Sequence, residues 1–262
     1  MSGGGETTDR STSDTVTTAS VNDQGERGWI ALFSGGKDSS LALYRALERG
    51  LDVRRLLIVH PVDDSYMFHV PETELATLAA ESIGIPSIDV EPSSFQASDA
   101  VDSATQGEKE LAVLEEAIES TMAAVDWDLV GVIAGAIESE FQTSRIESMC
   151  DRLDCDLFSP LWQEDHDAIA AELVDTGFET IIVQVGAAGL DETWLGRTLD
   201  TTAFEELESL QTEYGIHLLG EGGEFETMVV DGPHMDRRIE LDYDVDWEGT
   251  RGRIRVHSAT LE

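Results

Sequence analysis

Residues 29–50, WIALFSGGKDSSLALYRALERG, carry the clearest fold signal in the sequence. Its first five residues form an apolar run that is typical of a short buried strand. Residues 41–50 carry apolar side chains at helical spacing and end at Gly50, a residue type that often follows the last turn of a helix. SGGKDS (34–39) therefore joins a strand to a helix, where the unpaired N–H groups of a helix N-terminus favour an anion.

The composition of this loop indicates that the anion is a phosphate. Two glycines let the backbone approach a ligand closely, two hydroxyls can donate hydrogen bonds, and a lysine adds positive charge. Lys37 is one of only two lysines in the chain. The candidate phosphate-binding residues are Ser34, Gly35, Gly36, Lys37, Asp38 and Ser39.

SGGKDS differs from two better-known phosphate loops. The G-x-G-x-x-G pattern of dinucleotide-binding proteins is absent. A Walker A loop is absent too, because Ala31 occupies its first glycine position and Asp38 the position at which Ser or Thr holds the metal. An ordinary capped turn with a solvated Lys37 is the structural alternative. The place of the loop at the end of a strand in an α/β sheet favours a ligand site.

Strands and helices alternate along the chain, which predicts a parallel, Rossmann-like sheet covered by helices on both faces. The predicted strands are 53–60, 87–92, 128–137 and 156–162, and the predicted helices are 72–84, 108–125 and 140–153. A helix (165–176), a strand (179–190), a helix (202–214), a short strand (216–219) and a hairpin-like stretch follow. We expect a disordered tail (1–27), a first domain (28–163) and a smaller C-terminal α/β domain (164–262), with the boundary near Gln163.

The chain carries 54 acidic and 16 basic residues, a formal net charge of −38. Concentrated salt screens the self-repulsion of such a surface, so we expect a halophilic protein; an acidic mesophilic protein is the alternative. The sequence has no basic patch of the kind that binds nucleic acid, so a nucleic-acid partner is not expected. The absence of a membrane-length apolar run, of a signal peptide and of a disulfide scaffold predicts a cytoplasmic protein with no membrane partner. Its assembly as a homo-oligomer is left open.

A second motif, GAIESEFQTSRIE (135–147), begins at the end of a predicted buried strand. Gly135 would let a ligand approach the backbone, and Gln142 and Arg145 share one face of the following helix. Arg145 can bind a phosphate or a carboxylate through two nitrogens. A surface ion pair with one of the many nearby acids is the alternative.

A third motif, GEGGEFET (220–227), places three carboxylates around a Gly-Gly turn. Glu221, Glu224 and Glu226 would repel one another unless a cation, a protonated carboxyl or an amine substrate relieves the repulsion. A hairpin turn with solvated acids is the alternative.

SGGKDS resembles the loop of the ATP pyrophosphatases, a superfamily with an adenine-nucleotide α-hydrolase-like fold. In that superfamily the loop holds the β- and γ-phosphates of ATP while an acceptor attacks the α-phosphate. The resemblance therefore implies transfer of AMP and release of pyrophosphate. It also implies that the adenine or ribose lies near His60, at the end of the second predicted strand.

From about Trp29 to about Pro233, the chain resembles the diphthine–ammonia ligase family, an archaeal and eukaryotic branch of the ATP pyrophosphatases. The motifs that carry the resemblance, in order, are SGGKDS, MFH (67–69), GAIESEFQTSRIE, LWQ (161–163), GLDETWLGR (189–197) and GEGGEFET. The chain departs from the family pattern at Phe141 and Phe225, where tyrosine is frequent. This change removes a hydroxyl and keeps the aromatic ring.

The resemblance implies ATP-dependent amidation of diphthine on translation elongation factor 2 to diphthamide. ATP and Mg²⁺ would adenylate the diphthine carboxylate, and ammonia would then displace AMP. Because the chain has no glutaminase segment, we expect free ammonium as the donor. The diphthine form of the elongation factor is then the protein partner.

The resemblance also implies roles for individual residues. The catalytic set is Lys37, Arg145, Glu221, Glu224 and Glu226. The ATP-binding set is the loop 34–39 with His60 and Gly135, and Asp38 would help to hold Mg²⁺. The substrate-binding set is His69, Gln142, Arg197, Gly222, Gly223 and Thr227, although His69 is equally compatible with a surface position.

The aromatic and cysteine residues favour structural roles. Trp162 and Trp194 could form a cage for the trimethylammonium group of diphthine, but buried structural positions are favoured. Cys150 and Cys155 resemble the sulfur-carrying pairs of tRNA-thiolating relatives, yet a buried, inert Cys150 is favoured. A tRNA-modifying ATP pyrophosphatase, for thiolation or lysidine formation, and a non-enzymatic ATP-binding module are the alternative functions.

Overall fold

The computed structural model describes residues 26–59, 71–90, 103–138 and 140–262, without the side chains of 71–73, 103–110 and 141–142. His60, His69 and most of the predicted tail therefore lie outside the described residues. Arg27, the last residue of that predicted tail, begins the first strand. Among the described helices, none is long and apolar enough to cross a membrane.

Five parallel strands form the first sheet, in the order β3-β2-β1-β4-β5. The strands are β1 (Arg27–Leu32), β2 (Val53–Val59), β3 (Ser87–Val90), β4 (Asp128–Ile133) and β5 (Asp156–Phe158). The helices are α1 (Lys37–Glu48), α2 (Pro71–Ile83), α3 (Ser103–Ala124) and α4 (Glu140–Arg152). This arrangement confirms the Rossmann-like parallel sheet that the alternating pattern predicts.

The second sheet is smaller and antiparallel, in the order β7-β6-β9-β8. The strands are β6 (Glu179–Val185), β7 (Phe225–Asp231), β8 (Ile239–Glu248) and β9 (Arg251–Leu261). The helices are α5 (His166–Asp175) and α6 (Thr201–Tyr214), with a 3-10 turn at Glu192–Trp194. Strands β8 and β9 form the hairpin predicted for the last stretch. Asp165 and Asp200 cap α5 and α6, because each carboxylate accepts a backbone N–H bond from the first turn.

Two local predictions from the sequence are wrong. Helix α1 begins at Lys37 instead of residue 41, so half of SGGKDS belongs to its first turn. Residues 216–219 form an irregular turn instead of a strand. The turn buries the apolar side chains that suggested a strand. Its backbone N–H groups, however, bind side chains in place of a neighbouring strand. The His217 N–H donates to the Glu224 carboxylate, and the Leu219 N–H donates to the His217 ring.

One buried apolar cluster runs through both sheets. It includes Leu41 from α1 and Ile133 from the first sheet, and Ile182 and Phe225 from the second sheet. A separate cluster packs under α3 and α4 on the other side of the first sheet. Burial of this shared apolar surface is the main force that holds the two sheets together. The domain boundary near Gln163 stays a prediction.

Helix α1 also contacts the second part of the chain through polar and aromatic side chains. The Arg45 guanidinium pairs with both carboxylate oxygens of Glu172 and donates to the Pro160 carbonyl oxygen at 2.7 Å. The Tyr44 ring meets the Phe178 ring edge-on, with centroids 5.7 Å apart. These contacts fix the direction of α1, whose N-terminus carries the predicted phosphate loop.

A half-buried histidine, whose two ring nitrogens are fully buried, lies at this contact. The His234 ring lies 5.3 Å from the Phe178 ring and 6.4 Å from the Tyr44 ring, between centroids. Neither ring nitrogen has a hydrogen-bond partner among the described residues. Burial lowers the pKa of His234 to about 4, because the charged ring would lose its hydration there.

We expect His234 to make the fold sensitive to acid. The unfolded chain binds a proton near pH 6.5 and the folded chain only near pH 4, so stability is lost as pH falls through this window. The loss from this group reaches about 3 kcal/mol in the free energy of unfolding. His234→Phe should therefore lose less stability than the parent between pH 7 and pH 5 in urea unfolding at fixed salt. An equal loss in both proteins, with the exposed His257→Phe as control, would contradict this role.

Candidate active site

The candidate site lies at the switch point of the first sheet, where the strand order reverses. Strands β1 and β4 are neighbours, but the strands that follow them in the chain, β2 and β5, lie on opposite sides. The chain therefore leaves the carboxyl ends of β1 and β4 toward opposite sides of the sheet. Ligands of open α/β sheets bind at this point. SGGKDS follows β1, and the second motif follows β4, so the sheet brings these two motifs together.

Gly135 allows the two loops to touch. A Cβ atom at this position would lie 2.7 Å from the carbonyl carbon and oxygen of Asp38 and 2.8 Å from the backbone nitrogen of Ser39. Only glycine fits at these distances. The close approach that the sequence predicts at Gly135 is thus made by the first turn of α1.

The phosphate loop is held by its own hydroxyls. Gly35 has a left-handed backbone with φ of +79°, which glycine adopts without strain, and Gly36 precedes α1 without a side-chain cap. The Ser39 hydroxyl donates to the Gly36 carbonyl oxygen at 3.1 Å and accepts the Ser34 N–H at 3.2 Å. The loop therefore keeps its shape without using up all the N–H groups of the helix N-terminus, which remain suited to an anion.

Strand β7 of the second sheet packs against this loop and forms hydrogen bonds with its backbone. The Val229 N–H donates to the Gly35 carbonyl oxygen at 2.9 Å, and the Lys37 N–H donates to Thr227 Oγ1 at 3.2 Å. A Cβ atom at Gly36 would lie 3.3 Å from the Thr227 carbonyl oxygen. The third motif therefore contacts the first through Thr227, whose hydroxyl and carbonyl oxygen both lie against the loop backbone.

Lys37 and Asp38 form an ion pair inside the loop. Lys37 is only 4% exposed, and its Nζ donates to Asp38 Oδ2 at 2.8 Å. Asp38 Oδ1 is buried and has no hydrogen-bond partner among the described residues. A buried carboxylate oxygen without a donor is a suitable ligand for a hard cation. The residues present thus fit a Mg²⁺ ion beside the loop.

Glu224 shapes the turn that precedes β7. Its Oε1 accepts the His217 N–H at 3.0 Å, and its Oε2 accepts the Gly222 N–H at 2.8 Å. Both oxygens are therefore used to fold the turn. This arrangement explains why a glutamate lies here without needing a cationic ligand.

Glu221 and Glu226 have less complete surroundings. Although Glu221 as a residue is exposed, the protein atoms around its carboxylate and the charge of Asp38 raise its pKa. Burial alone raises the pKa of Glu226. Neither carboxylate has a hydrogen bond or ion pair within the described ranges. These two acids, rather than Glu224, keep the unbalanced negative charge that the sequence predicts around the turn.

A cluster that sequence reasoning missed lies beside the turn. Glu138, after β4, contacts His166 at the start of α5, with 2.9 Å between Oε1 and Nε2. Its other oxygen lies 3.6 Å from His217 Nε2. The two imidazole rings meet edge-on, with centroids 4.4 Å apart. The three residues are far apart in the sequence; the only signal was that Glu138 and His217 lie in or next to motifs, and His166 shortly after LWQ.

The structure places the other predicted residues as follows. Arg145 is half-buried on α4 and has an interaction partner, while the side chain of Gln142 lies outside the described residues. The Arg197 guanidinium pairs with Glu206 and stacks over the ring of Trp194, so its observed contacts are not with the phosphate loop. Gly222 and Gly223 lie in the turn before β7. None of these contacts tests the predicted role of the residue.

The tryptophan and cysteine positions agree with structural roles. Trp194 is buried at 5% exposure, and Trp162 is half-buried. Phe225 is 3% exposed, so its ring packs in the core where the family often has tyrosine. Burial, more than the neighbouring Cys155, raises the pKa of the Cys150 thiol to about 12. Such a thiol is almost fully protonated at neutral pH and is a poor nucleophile.

Fold and site together define a two-sheet α/β protein with a phosphate-binding type of loop at the switch point of its parallel sheet. Residues 28–156 match the family description "Diphthamide synthase N-terminal domain", and residues 165–261 match "Diphthamide synthase C-terminal domain". The chain therefore belongs to the diphthamide synthase family.

Curated relatives agree with this assignment. The diphthine–ammonia ligase of Danio rerio is 32% identical over 223 residues, which cover 81% of this chain and 86% of the relative. The human enzyme of that name is 30% identical over 248 residues, 87% of this chain and 85% of the relative. The Schizosaccharomyces pombe ligase is 32% identical over 217 residues, but these are only 36% of that longer protein.

A solved structure is also similar. It is described as the predicted subunit of a tRNA methyltransferase from Methanocaldococcus jannaschii. The similarity has a TM-score of 0.38 and 17% identity, and it covers 79% of this chain and 98% of the other. A likeness this weak says nothing about substrate.

We expect Gly135→Ala to force the two loops apart. The added methyl overlaps the Asp38 backbone, and overpacking of this kind costs about 1–3 kcal/mol in the free energy of unfolding. Urea unfolding measures the loss. Gly186→Ala is the matched control, because its Cβ atom would have no neighbour closer than 3.8 Å. Equal stability of the two variants would show that the loops do not pack as described.

We expect Glu224→Gln to loosen the turn before β7. A carboxamide has one acceptor oxygen, so one of the two N–H groups loses its partner, at a cost of about 1–3 kcal/mol. Amide hydrogen exchange should become faster at His217 or Gly222. Glu226→Gln is the control, and it should leave exchange at both amides unchanged. Unchanged exchange in Glu224→Gln would argue against this clamp.

Proposed function

We propose that this chain is an AMP-forming ligase that converts diphthine on translation elongation factor 2 to diphthamide, with ATP and ammonia as co-substrates. The observation that carries the proposal is the direct contact between SGGKDS and the GEGGEFET strand in a member of the diphthamide synthase family. SGGKDS suits a polyphosphate. GEGGEFET adds acids at the edge of the loop, and these suit an amine or ammonium group.

The chemistry requires activation of the substrate. Ammonia does not displace hydroxide from a carboxylate, because hydroxide is a poor leaving group. Transfer of AMP to the carboxylate gives an acyl adenylate, from which AMP leaves readily. The protein must therefore hold ATP by its β- and γ-phosphates and expose the α-phosphate to the diphthine carboxylate.

The phosphate loop supplies most of this function. The N–H groups at the start of α1 and the Lys37 ammonium would stabilise the charge that grows on the departing pyrophosphate. Ser34 and Ser39 would support the same group through their hydroxyls. Arg145, on α4, would neutralise the α-phosphate or the substrate carboxylate. His60 and Gly135 would belong to the rest of the ATP site.

Mg²⁺ would lie against Asp38, whose Oδ1 atom lacks a donor. Bound there, the ion would supply positive charge to the phosphates. Asp38 also orients the Lys37 ammonium through its second oxygen. A single carboxylate can thus position both cations near the same phosphate groups.

The acids of the third motif would face the nitrogen-containing groups. Glu221 and Glu226 are the better candidates for the ammonium or trimethylammonium, because Glu224 binds the turn through both oxygens. The substrate would also contact the remaining predicted residues, His69, Gln142, Arg197, Gly222, Gly223 and Thr227. The net charge of −38 suits a halophilic protein of a salt-rich cytoplasm.

The first experiment measures AMP and pyrophosphate release in high salt, with ATP, Mg²⁺, ammonium and diphthine-bearing elongation factor 2. Release should require both the factor and ammonium. Lys37→Ala should lower it by about 100-fold or more, because a buried cation at the developing charge is lost. Arg255→Ala removes one exposed cation from β9 and should leave the rate unchanged.

Other outcomes would replace this function. Release that depends on tRNA in place of the elongation factor would make the protein a tRNA-modifying enzyme. ATP binding without release under either condition would make it a nucleotide-binding module.

A further inference from the structure

Three chain segments meet beside the phosphate loop and bring Glu138, His166 and His217 together. Glu138 follows the buried Ile137, whose carbonyl oxygen accepts the Gln163 N–H at 2.8 Å. His166 is the first residue of α5, whose start is capped by Asp165. The backbone on both sides of the Glu138–His166 contact is therefore held in place.

The proton positions of His217 follow from its surroundings. Its Nδ1 accepts the Leu219 N–H at 3.1 Å and, more weakly, the Glu221 N–H at 3.4 Å. A neutral imidazole carries one proton, so Nδ1 must be the bare nitrogen and Nε2 the protonated one. The Nε2–H then lies on the side of the Glu138 carboxylate.

This tautomer argues against a metal ion at the cluster, although two imidazoles and a carboxylate are common zinc ligands. A metal at His217 Nε2 needs a lone pair on that nitrogen. The proton would move to Nδ1, where it would meet the two backbone N–H groups. Metal-binding histidines instead donate their second N–H to an acceptor.

His166 favours the same tautomer as His217, but within the described ranges its Nδ1 is left without a donor. Its Nε2 lies 2.9 Å from Glu138 Oε1, so the negative carboxylate favours a proton on that nitrogen. Its Nδ1 then keeps a lone pair and has no partner among the described residues. A carboxylate that orients an imidazole and stabilises its protonated form is the arrangement of a general base.

The cluster lies close enough to the loop for its charges to interact with those of the proposed site. After burial, the charges of Asp38, Lys37, Glu138 and His166 all act on the pKa of Glu221, which is raised. Around the Glu138–His166 pair, the charged or titratable neighbours are His217, Glu221, Glu224, Lys37 and Asp38, with Glu164, Asp165 and Asp167 on the segment of His166. The acids among them would attract ammonium.

The proposed reaction leaves a task that SGGKDS does not perform. Near neutral pH ammonia exists mainly as ammonium, which has no lone pair and cannot attack an acyl adenylate. One proton must leave before attack, and a second must leave the nitrogen after the new C–N bond forms. A base within reach of the nitrogen is therefore needed.

We propose that His166 is this base and that Glu138 is the residue that positions it. The proposal rests on the proposed ligase function. Nδ1 of His166 accepts a proton from ammonium, and the free ammonia attacks the acyl carbon. The C–N bond forms, the C–O bond to AMP breaks, and AMP leaves with the bonding electron pair. The second proton passes from the new amide nitrogen to His166 after the first has reached solvent.

His166→Asn tests the proposal with two nucleophiles. Hydroxylamine is largely uncharged near neutral pH and needs no base before attack. In His166→Asn, amide formation from ammonium should fall by about 10²–10⁴-fold, while hydroxamate formation and ATP–pyrophosphate exchange stay near the parent values. Glu138→Gln should show the same split with a smaller loss, because the base remains but is poorly oriented.

The pH profile gives an independent readout. Without its base, the variant must use free ammonia, so its ammonium-dependent rate should rise about tenfold per pH unit and approach the parent rate in alkali. The matched control is His257→Asn, which breaks a similar His–carboxylate pair (2.9 Å to Asp244) on the exposed β9 strand. His257→Asn should change neither the ammonium-dependent rate nor the hydroxylamine-dependent rate.

Each other result would overturn the proposal. An equal loss with ammonium and hydroxylamine would assign His166 to adenylation or to folding, and no loss would exclude a role. Stoichiometric zinc in the purified protein that is lost in His166→Asn would make the cluster a metal site. If the parent protein itself shows no exchange or amide formation, the proposed ligase function fails, and this outcome is distinguishable from failure of the base alone.

Discussion

Two hydrogen bonds to the backbone of the phosphate loop join it to β7, and the arrangement of the candidate site depends on them. The Val229 N–H and the Thr227 hydroxyl bind the backbone of Gly35 and Lys37. A loop rich in glycine has little shape of its own, because glycine backbones sample many conformations. The bonds from β7 therefore add to the loop's own hydroxyl contacts in fixing its shape, and the shared apolar core holds the two sheets together.

This constraint also explains why acids collect at the edge of the site. A turn with two glycines precedes β7, and the Glu224 carboxylate holds that turn by accepting two backbone N–H groups. Glu221 and Glu226 flank it without protein donors of their own among the described residues. Under the proposed function, these two partly desolvated carboxylates would be the cation-binding half of the site, and the loop with the buried Lys37 would be the anion-binding half. An enzyme that must bring polyphosphate and ammonium together needs both halves.

The sequence predicted most of the fold because its signals are local. Apolar runs predicted all five parallel strands, and the glycines, hydroxyls and lysine of SGGKDS marked the loop after β1 as a candidate phosphate loop. It failed where side chains replace backbone pairing, as at 216–219, where burial of Ile216 and Leu219 imitates a strand. It also missed the Glu138–His166 contact, because no periodic pattern connects residues that meet only through the ends of β4 and α5.

The missed contact and the predicted motifs lie on one edge for the same physical reason. Parallel strands direct their carboxyl ends to one side of the sheet, and the loops that follow them must meet there. Glu138 follows β4, and His166 follows the turn after β5, so both reach the edge that carries Lys37. A motif search finds the phosphate loop because its backbone needs glycine at fixed positions. A histidine held by one carboxylate requires no such spacing, and only the three-dimensional arrangement makes it a candidate base.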